Sequence, residues 1–362
     1  MTNDYDIIII GSGVIGASIA YYLSKRPRQN ILVIDKGFPL TGTSGATQAW
    51  VFAHNKTPGS YGKLSMLSAQ LYPSLQAEIG DIEYKRTGGI VPFFDEDDWV
   101  KAEHLVKEQS KAGLDVQVLN RTQTLEKEPK LSAKIKGSTY SPIDGNVNPF
   151  LLVEKYVRAF QRNDVDVSFY NAVTAIDHSD EQVTVTTEKG IFSGEKIVFA
   201  GGPWTEHLGN MLDVQVPVNL VRGQILVTEP LQPIITHTLG GMRQMDNGVV
   251  LIGNSSEKHI GLDRRTTLDV IQHTAKMGID FVPELKKAHI LRSFAGTRLV
   301  PYDGLPILGT MPCMKNVYIA AMHSGVTLSP LVGKVMSELI FDGEASIDID
   351  GYDIRRFNKI KP

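Results

Sequence analysis

Ile7–Ile10 is an unbroken run of β-branched apolar residues, followed by Gly11, Gly13 and Gly16. A run with no polar alternation predicts a strand buried on both faces, as in the middle of a parallel sheet. Ala17–Ser24 then carries apolar residues at helical spacing, and Pro27 ends the pattern. Ile31–Asp35 repeats the buried-strand signature. Strand, glycine turn, helix and strand together predict a compact βαβ unit at the start of the chain.

Further along, Leu64–Ile79 and Trp99–Ala112 read as amphipathic helices, Gly88–Phe94 as a strand and Val153–Gln161 as a helix. From Val165 the apolar and polar residues alternate between turn signals, predicting an antiparallel meander that ends in a buried strand at Lys196–Ala200. Residues 215–300 predict strands, including QILVTEP and GVVLIG, with one helix near Thr267–Met277. The strand NVYIAAM follows, then a helix with Ser329 as N-cap and Pro330 as its first residue. Nucleotide-type elements therefore alternate with meander-like ones. The expected architecture is α/β, with a Rossmann-like dinucleotide domain interleaved with an antiparallel-sheet substrate domain. The expected boundaries are 1–48, 146–215 and 299–362 for the first, and 49–145 and 216–298 for the second.

The glycine turn has a definite physical reading. Gly11 permits the tight turn, Gly13 a close approach of backbone to pyrophosphate, and Gly16 close packing of helix on strand. The phosphates then meet a helix N-terminus, where free N–H groups and the dipole favour an anion. Asp35, 24 positions after Gly11, is placed for a ribose 2′-OH and disfavours a 2′-phosphate. NADP is thereby set aside, while NAD and FAD both remain open.

Composition narrows the partners but not the chemistry. The 362 residues are 42% hydrophobic and 21% charged, with formal net charge −3, which gives no footprint for nucleic acid. A single cysteine, Cys313, excludes a disulfide framework and a cysteine-based metal site, and no metal ligation is expected. The segment MTNDYDIIIIG lacks the positive start of a signal peptide, and no apolar run approaches the roughly 20 residues of a membrane span. A soluble, cytoplasmic protein is the expectation.

Three distant segments bear on the cofactor. TGTSGATQ (Thr41–Gln48) is small and rich in hydroxyls, suited to run along phosphates and a polyol. IVFAGGPW (Ile197–Trp204) breaks a buried strand at Gly201–Gly202. NVYIAAMHSGVTLSP returns the C-terminal part of the chain to a strand, a glycine turn and a helix, which a simple NAD domain does not need. With GSGVIG and AGTRLVPYDGLPILG, these motifs make the chain resemble the FAD-dependent D-amino acid oxidase family, in its glycine oxidase and sarcosine oxidase branch. The motifs occur in the family's order over nearly the whole chain, and they specify the family rather than a substrate.

The resemblance implies FAD extended along the interface of two domains. It assigns the pyrophosphate to Gly11, Gly13, Val14, Ile15 and Gly16, and the ribose to Asp35 with Lys36 beside it. Many relatives have Glu at the position of Asp35. Thr43, Ser44, Thr47 and Gln48 match the stretch along the phosphates and flavin, and Val173 matches a residue whose backbone meets the adenine. Gly201, Gly202 and Trp204 form a further close approach. Ser324, Gly325, Val326, Thr327 and Leu328 match the turn at the isoalloxazine edge, where a helix N-terminus favours negative charge on reduced flavin. Tethered sarcosine oxidases use a cysteine near the position of Leu299–Val300; its absence here implies noncovalent FAD.

The family chemistry is hydride transfer from substrate carbon to flavin N5, followed by imine hydrolysis, which requires no triad or metal. Arg298 matches the arginine that pairs with substrate carboxylate, its competing role being a salt bridge to an acid such as Asp303. Tyr302, His54, Trp50 and His323 are further candidates for the active-site wall. Arg243 and Lys258 read as solvated charges, Lys258 with a second possible role beside the flavin in oxygen activation. The expected substrate is a small amino acid or N-alkyl amino acid. The acceptor is oxygen, in an oxidase, or a quinone or partner subunit, in a dehydrogenase. Two alternatives stand beside this: the catalytic β-type subunit of a hetero-oligomeric proline, hydroxyproline or opine dehydrogenase, and a flavin-binding electron-relay or structural subunit without turnover of its own.

Overall fold

The computed structural model describes residues 4–357. Its first sheet is built on the strand Asp4–Ile10, which pairs in parallel with Ile31–Ile34 on one side and Gly190–Phe199 on the other. Asp166–Ser168 extends the sheet beyond Ile31–Ile34, and Val317–Ala321 beyond Gly190–Phe199, both in parallel. Ile307–Thr310 closes that edge antiparallel. The meander Val173–His178, Val183–Thr187 and Gly190–Phe199 is present as antiparallel pairs.

The four isoleucines explain why this strand is central. Ile7 and Ile9 join an apolar cluster with Tyr156, Phe160, Val332 and Val335, from the helices Pro149–Gln161 and Gly325–Asp342. Ile8 and Ile10 point the other way, into a cluster with Val183, Val185, Phe199 and Leu208. Period-two geometry sends alternate side chains to opposite faces, so a strand covered on both sides must be apolar throughout.

The second sheet has nine strands, dominated by the long antiparallel pair Val218–Pro230 and Ile290–Pro301. Gly89–Phe93, Gly137–Ser141 and Gln117–Asn120 form its far side. Its pairs are antiparallel except one: Thr238–Leu239 runs parallel to Gly89–Phe93. The helix Leu268–Phe281 packs against this sheet.

The helices extend beyond their sequence signatures. Gly59–Ile79 begins a turn before the amphipathic pattern, and Pro149–Gln161 begins at Pro149, with Asn148 accepting hydrogen bonds from the N–H groups of Phe150 and Leu151. The largest correction concerns the last helix. It runs Gly325–Asp342, with Ser324 rather than Ser329 as its N-cap, and Pro330 lies inside it. A proline there removes the donor owed to the carbonyl four residues earlier, that of Val326. Tyr72 Oη donates to that carbonyl, and Ser329 Oγ donates to it from 3.3 Å. A buried tyrosine from another helix supplies the missing partner, so the helix passes through its proline.

Candidate functional site

A cavity of about 680 Å³ lies between the two sheets. Its walls come from the glycine turn, the Thr41–Phe52 stretch, the turn at Gly201, the strand pair of the second sheet, and the segment Met322–Val326. The glycines at one end are steric necessities. A Cβ on Gly16 would lie 1.8 Å from the Gly11 carbonyl oxygen, and one on Gly11 would lie 2.4 Å from that of Ala200. Gly11 also has φ +106°, in the region that favours glycine. The first turn of the helix Val14–Leu23 therefore sits directly against the sheet and opens onto the cavity.

Asp35 also faces the cavity. Its Oδ2 accepts from Ser12 N at 2.7 Å and Ser12 Oγ at 2.8 Å, and its Oδ1 accepts from Gly37 N at 2.8 Å. These bonds fix the carboxylate while leaving lone pairs toward the cavity, an arrangement that suits the hydroxyls of a ribose. Nearby, Lys36 Nζ stands 3.4 Å from the Trp204 ring centroid, so a cation and an indole close this end together. Burial holds the Lys36 amine below its usual value, against the opposing pull of Asp35. Val173, Gly201 and Gly202 line the same end.

Thr43, Ser44, Thr47 and Gln48 line the middle. Ser44 Oγ accepts from the Val14 N–H at 3.0 Å, so one N–H of the helix start is met by a side chain. Gln48 Nε2 donates to the carbonyls of Gly241 and Gly253, each at 2.7 Å, tying this stretch to the second sheet. Ala46 packs against Gly296, where a Cβ would lie 2.7 Å from Ala46.

Arg298 enters the other end from the strand Ile290–Pro301. Its guanidinium fits because Gly223, on the neighbouring strand, lacks a side chain: a Cβ there would lie 2.0 Å from Nη2. Nη2 donates to the Ser255 carbonyl. Among the described residues Arg298 has no carboxylate partner, and Asp303 pairs with Arg356 instead, at 2.7 Å. Burial lowers the Arg298 pKa from its ordinary value without removing the charge. A half-buried guanidinium without a carboxylate partner on a cavity wall has the chemistry to pair with an anion.

His323, Ser324, Gly325 and Val326 line this end, with Trp50 and Phe52, whose rings stack at 4.6 Å. Burial, then the charges of Lys56 and Arg298, push the His323 imidazole down to about 3. The ring is therefore neutral at physiological pH.

Several expected site residues lie elsewhere. Tyr302 is 56% exposed on a turn and does not line the cavity. His54 is fully buried behind the wall, where its Nδ1 pairs with Asp144 Oδ2 at 2.6 Å. Thr327 and Leu328 are buried in the helix beneath the lining; Thr327 Oγ1 donates to the Trp50 carbonyl at 3.0 Å. Gly16 supports the glycine turn rather than lining the cavity. Arg243 is not a solvated charge but a core one, 4% exposed, donating to Asn146 Oδ1 at 2.9 Å and the Val147 carbonyl at 3.1 Å. Burial pushes its pKa down to about 10. Lys258 is exposed on the second sheet, away from the cavity.

The sequence reading missed residues whose only signal is position in space. Gly223 and Asn171 line the cavity without belonging to any motif. Lys56 is 4% exposed, and burial pushes its amine down to about 7 against the opposing charge of Asp144. Cys313 is exposed and does not line the cavity. Among the described residues no group of three or more His, Cys, Asp or Glu is placed to hold a metal, and no helix is long and apolar enough to cross a membrane.

Comparison with known proteins identifies relatives of the whole chain and of its fold. The chain is 30% identical to hydrogen cyanide synthase subunit HcnC of Pseudomonas protegens, covering 99% of this chain and 97% of that one. It is 28% identical to an opine oxidase subunit from Rhizobium meliloti, covering 98% of each. The crystal structure of glycine oxidase from Geobacillus kaustophilus superposes with a TM-score of 0.93 at 27% identity, over 98% of this chain and 99% of that one. The model of the family described as DAO, FAD dependent oxidoreductase, matches residues 6–339. A glycine turn and an unpaired arginine thus share one cavity in a chain that belongs to the FAD-dependent D-amino acid oxidase family, as an amino acid oxidoreductase of the glycine oxidase and sarcosine oxidase type.

Proposed function

We propose that this protein oxidises the carbon–nitrogen bond of a small amino acid or N-alkyl amino acid whose carboxylate pairs with Arg298. The observation that carries this reading is the guanidinium itself: it faces the cavity, has no acidic partner among the described residues, and occupies space left by Gly223. Bound FAD supplies the two-electron acceptor for that bond. Arg298 fixes the carboxylate end of the substrate and so orients its α-carbon. Trp50, Phe52 and Met322 give the cavity an apolar wall that excludes water and strengthens the ion pair. Relatives named glycine oxidase and opine oxidase support a small, carboxylate-bearing amine. FAD is held noncovalently in this reading, since the one thiol of the chain is exposed and outside the cavity.

The test is anaerobic. Flavin-loaded protein is mixed with glycine, sarcosine, proline enantiomers and N-carboxyalkyl amino acids, and bleaching of the flavin is followed. Bleaching by at least one is expected, and none by any member of the panel sinks the proposal. Admitting air then separates oxidase from dehydrogenase by whether peroxide appears.

A second reading, that the chain works beside a partner chain, draws on two relatives that are themselves named as subunits. It requires a reduced flavin that air reoxidises slowly and a dye or a co-purifying chain reoxidises quickly. Rapid peroxide release by a homogeneous preparation rules it out.

A further inference from the structure

We propose that His323, Ser324 and Lys56 form a proton relay, which takes the proton of the incoming substrate ammonium at the cavity and delivers it to a buried lysine. The inference rests on the amine-oxidising reading above, which requires the amine to become neutral before its C–H bond is oxidised.

The chain of contacts is continuous. His323 lines the cavity, and its Nδ1 is 2.8 Å from Ser324 Oγ. Ser324 is the N-cap residue of the helix Gly325–Asp342, yet its side chain caps nothing. It sits in the left-handed region at φ 60°, an uncommon conformation for a non-glycine residue, and its hydroxyl faces Lys56 Nζ within hydrogen-bond reach. Lys56 Nζ also bonds to Tyr61 Oη at 3.2 Å and lies 4.0 Å from the Phe52 ring centroid. Lys56 does not line the cavity, so its route to a ligand runs through Ser324 and His323.

The charged groups around Lys56 do not neutralise it. Asp144 is the nearest carboxylate influence, but its oxygens accept from the Ala53 N–H at 2.9 Å and pair with His54 at 2.6 Å. Tyr61 is held protonated, pushed up to about 12 by burial. Arg298 and Lys56 both act on His323 and disfavour a positive ring. Among the described residues Lys56 forms no ion pair. Burial accordingly pushes it down to about 7, where both of its protonation states are accessible at physiological pH.

The charged state fixes one arrangement of hydrogens, and the neutral state opens the opposite one. An ammonium has only donors to offer. Charged Lys56 therefore donates to Ser324 Oγ, the serine O–H donates to His323 Nδ1, and the ring proton sits on Nε2. Neutral Lys56 keeps two N–H donors and gains one lone pair; with an N–H turned to Tyr61 Oη, the lone pair accepts from Ser324. The Ser324 O–H then donates to Lys56 Nζ, His323 Nδ1–H donates to Ser324 Oγ, and Nε2 presents a lone pair to the cavity. From this second state one proton passes down the line. The substrate ammonium gives a proton to Nε2, the Nδ1 proton moves to Ser324 Oγ, and the serine proton moves to Lys56. The amine ends neutral and Lys56 ends charged. His323 never stores the proton, which accords with an imidazole pushed down to about 3. Lys56 is a positioning residue in this scheme, because it sets the tautomer of His323 without touching the ligand.

The decisive readout is the tautomer of His323 in FAD-loaded protein, measured by ¹⁵N NMR of histidine-labelled samples. The expected result is Nε2–H at pH about 6 and Nδ1–H at pH about 9, with no imidazolium signal at either. One unchanged tautomer at both pH values in the parent protein overturns the relay, without recourse to any variant. Lys56→Arg, permanently charged, is expected to hold Nε2–H throughout, and Lys56→Met to abolish the switch; a switch surviving in Lys56→Met also overturns it. With an amino acid that bleaches the flavin, the anaerobic rate in the parent is expected to fall about tenfold per pH unit below the Lys56 transition. Ser324→Ala should flatten that profile, and an unflattened profile counts against the relay. If no amino acid bleaches the flavin, the proposed function fails, while the tautomer measurement still decides the hydrogen-bond switch on its own terms.

Discussion

Replacing Arg298 by alanine removes a positive group from the cavity wall that has no carboxylate partner among the described residues. One N–H of Nη2 is committed to the Ser255 carbonyl, the guanidinium packs over Gly223, and the residue lines the cavity. Two charge-assisted hydrogen bonds are worth about 1.5–3 kcal/mol each. Arg298 is only half-buried, so the lower figure applies and the pair contributes about 3 kcal/mol, or roughly 100-fold in affinity. The assay uses propionate, a carboxylate with no amine to oxidise, and reads its dissociation constant from the perturbation of bound-flavin absorbance. Arg298→Lys keeps the charge but loses the planar fork, and an intermediate loss of about tenfold is expected. Gly223→Ala gives an independent arm, since its Cβ would lie 2.0 Å from Nη2 and displace a guanidinium that is still present. Its expected loss is at least about tenfold. Propionate affinity within about threefold of the parent in Arg298→Ala would refute the assignment of the carboxylate to this residue.

Three further outcomes follow from the same structure. Gly16→Ala sets a Cβ 1.8 Å from the Gly11 carbonyl oxygen, so purified protein should carry much less flavin; full flavin occupancy would show that the turn yields more readily than its packing implies. Tyr72→Phe leaves the Val326 carbonyl without its main donor inside a buried helix and should cost about 1–3 kcal/mol in urea unfolding, with an unchanged midpoint as the contrary result. Lys56 has a folded pKa near 7 against 10.5 when free, so the unfolded chain binds more protons between those values and folding gains stability as pH rises through that window. Lys56→Met should therefore exceed the parent in stability at pH about 7 by more than at pH about 10, the difference being on the order of several kcal/mol; a pH-independent difference contradicts a desolvated lysine.

Much of the molecule is legible in local pattern. Ile7–Ile10 announces a doubly covered strand because side chains alternate across a sheet, and a strand with apolar residues at every position has no wet face. The glycines at 11, 13 and 16 announce a dinucleotide-type turn, in which Gly11 and Gly16 leave no room for a Cβ, and Asp35 follows at the distance that one helix and one strand impose. Arg298 was legible through the motif around it, although its freedom from Asp303 was not: only the fold pairs Asp303 with Arg356.

What escaped the sequence was set by neighbours distant along the chain. Pro330 reads locally as a helix start, but Tyr72, 258 positions earlier, satisfies the carbonyl that the proline strands, and the helix begins at Gly325 instead. Arg243 reads as a surface charge, but the carbonyl of Val147 and the amide of Asn146 receive it in the core. His54 and Tyr302 stand near motif residues in sequence, yet one turns behind the cavity wall and the other out to solvent. Lys56 carries no signature at all, because a depressed amine is a property of burial rather than of spacing. Sequence by itself determined the βαβ unit, the dinucleotide turn and the family, since these depend on periodicity and on residues adjacent in the chain. Tertiary structure decided which charges are paired, buried or free, since desolvation and Coulomb attraction depend on distance in space.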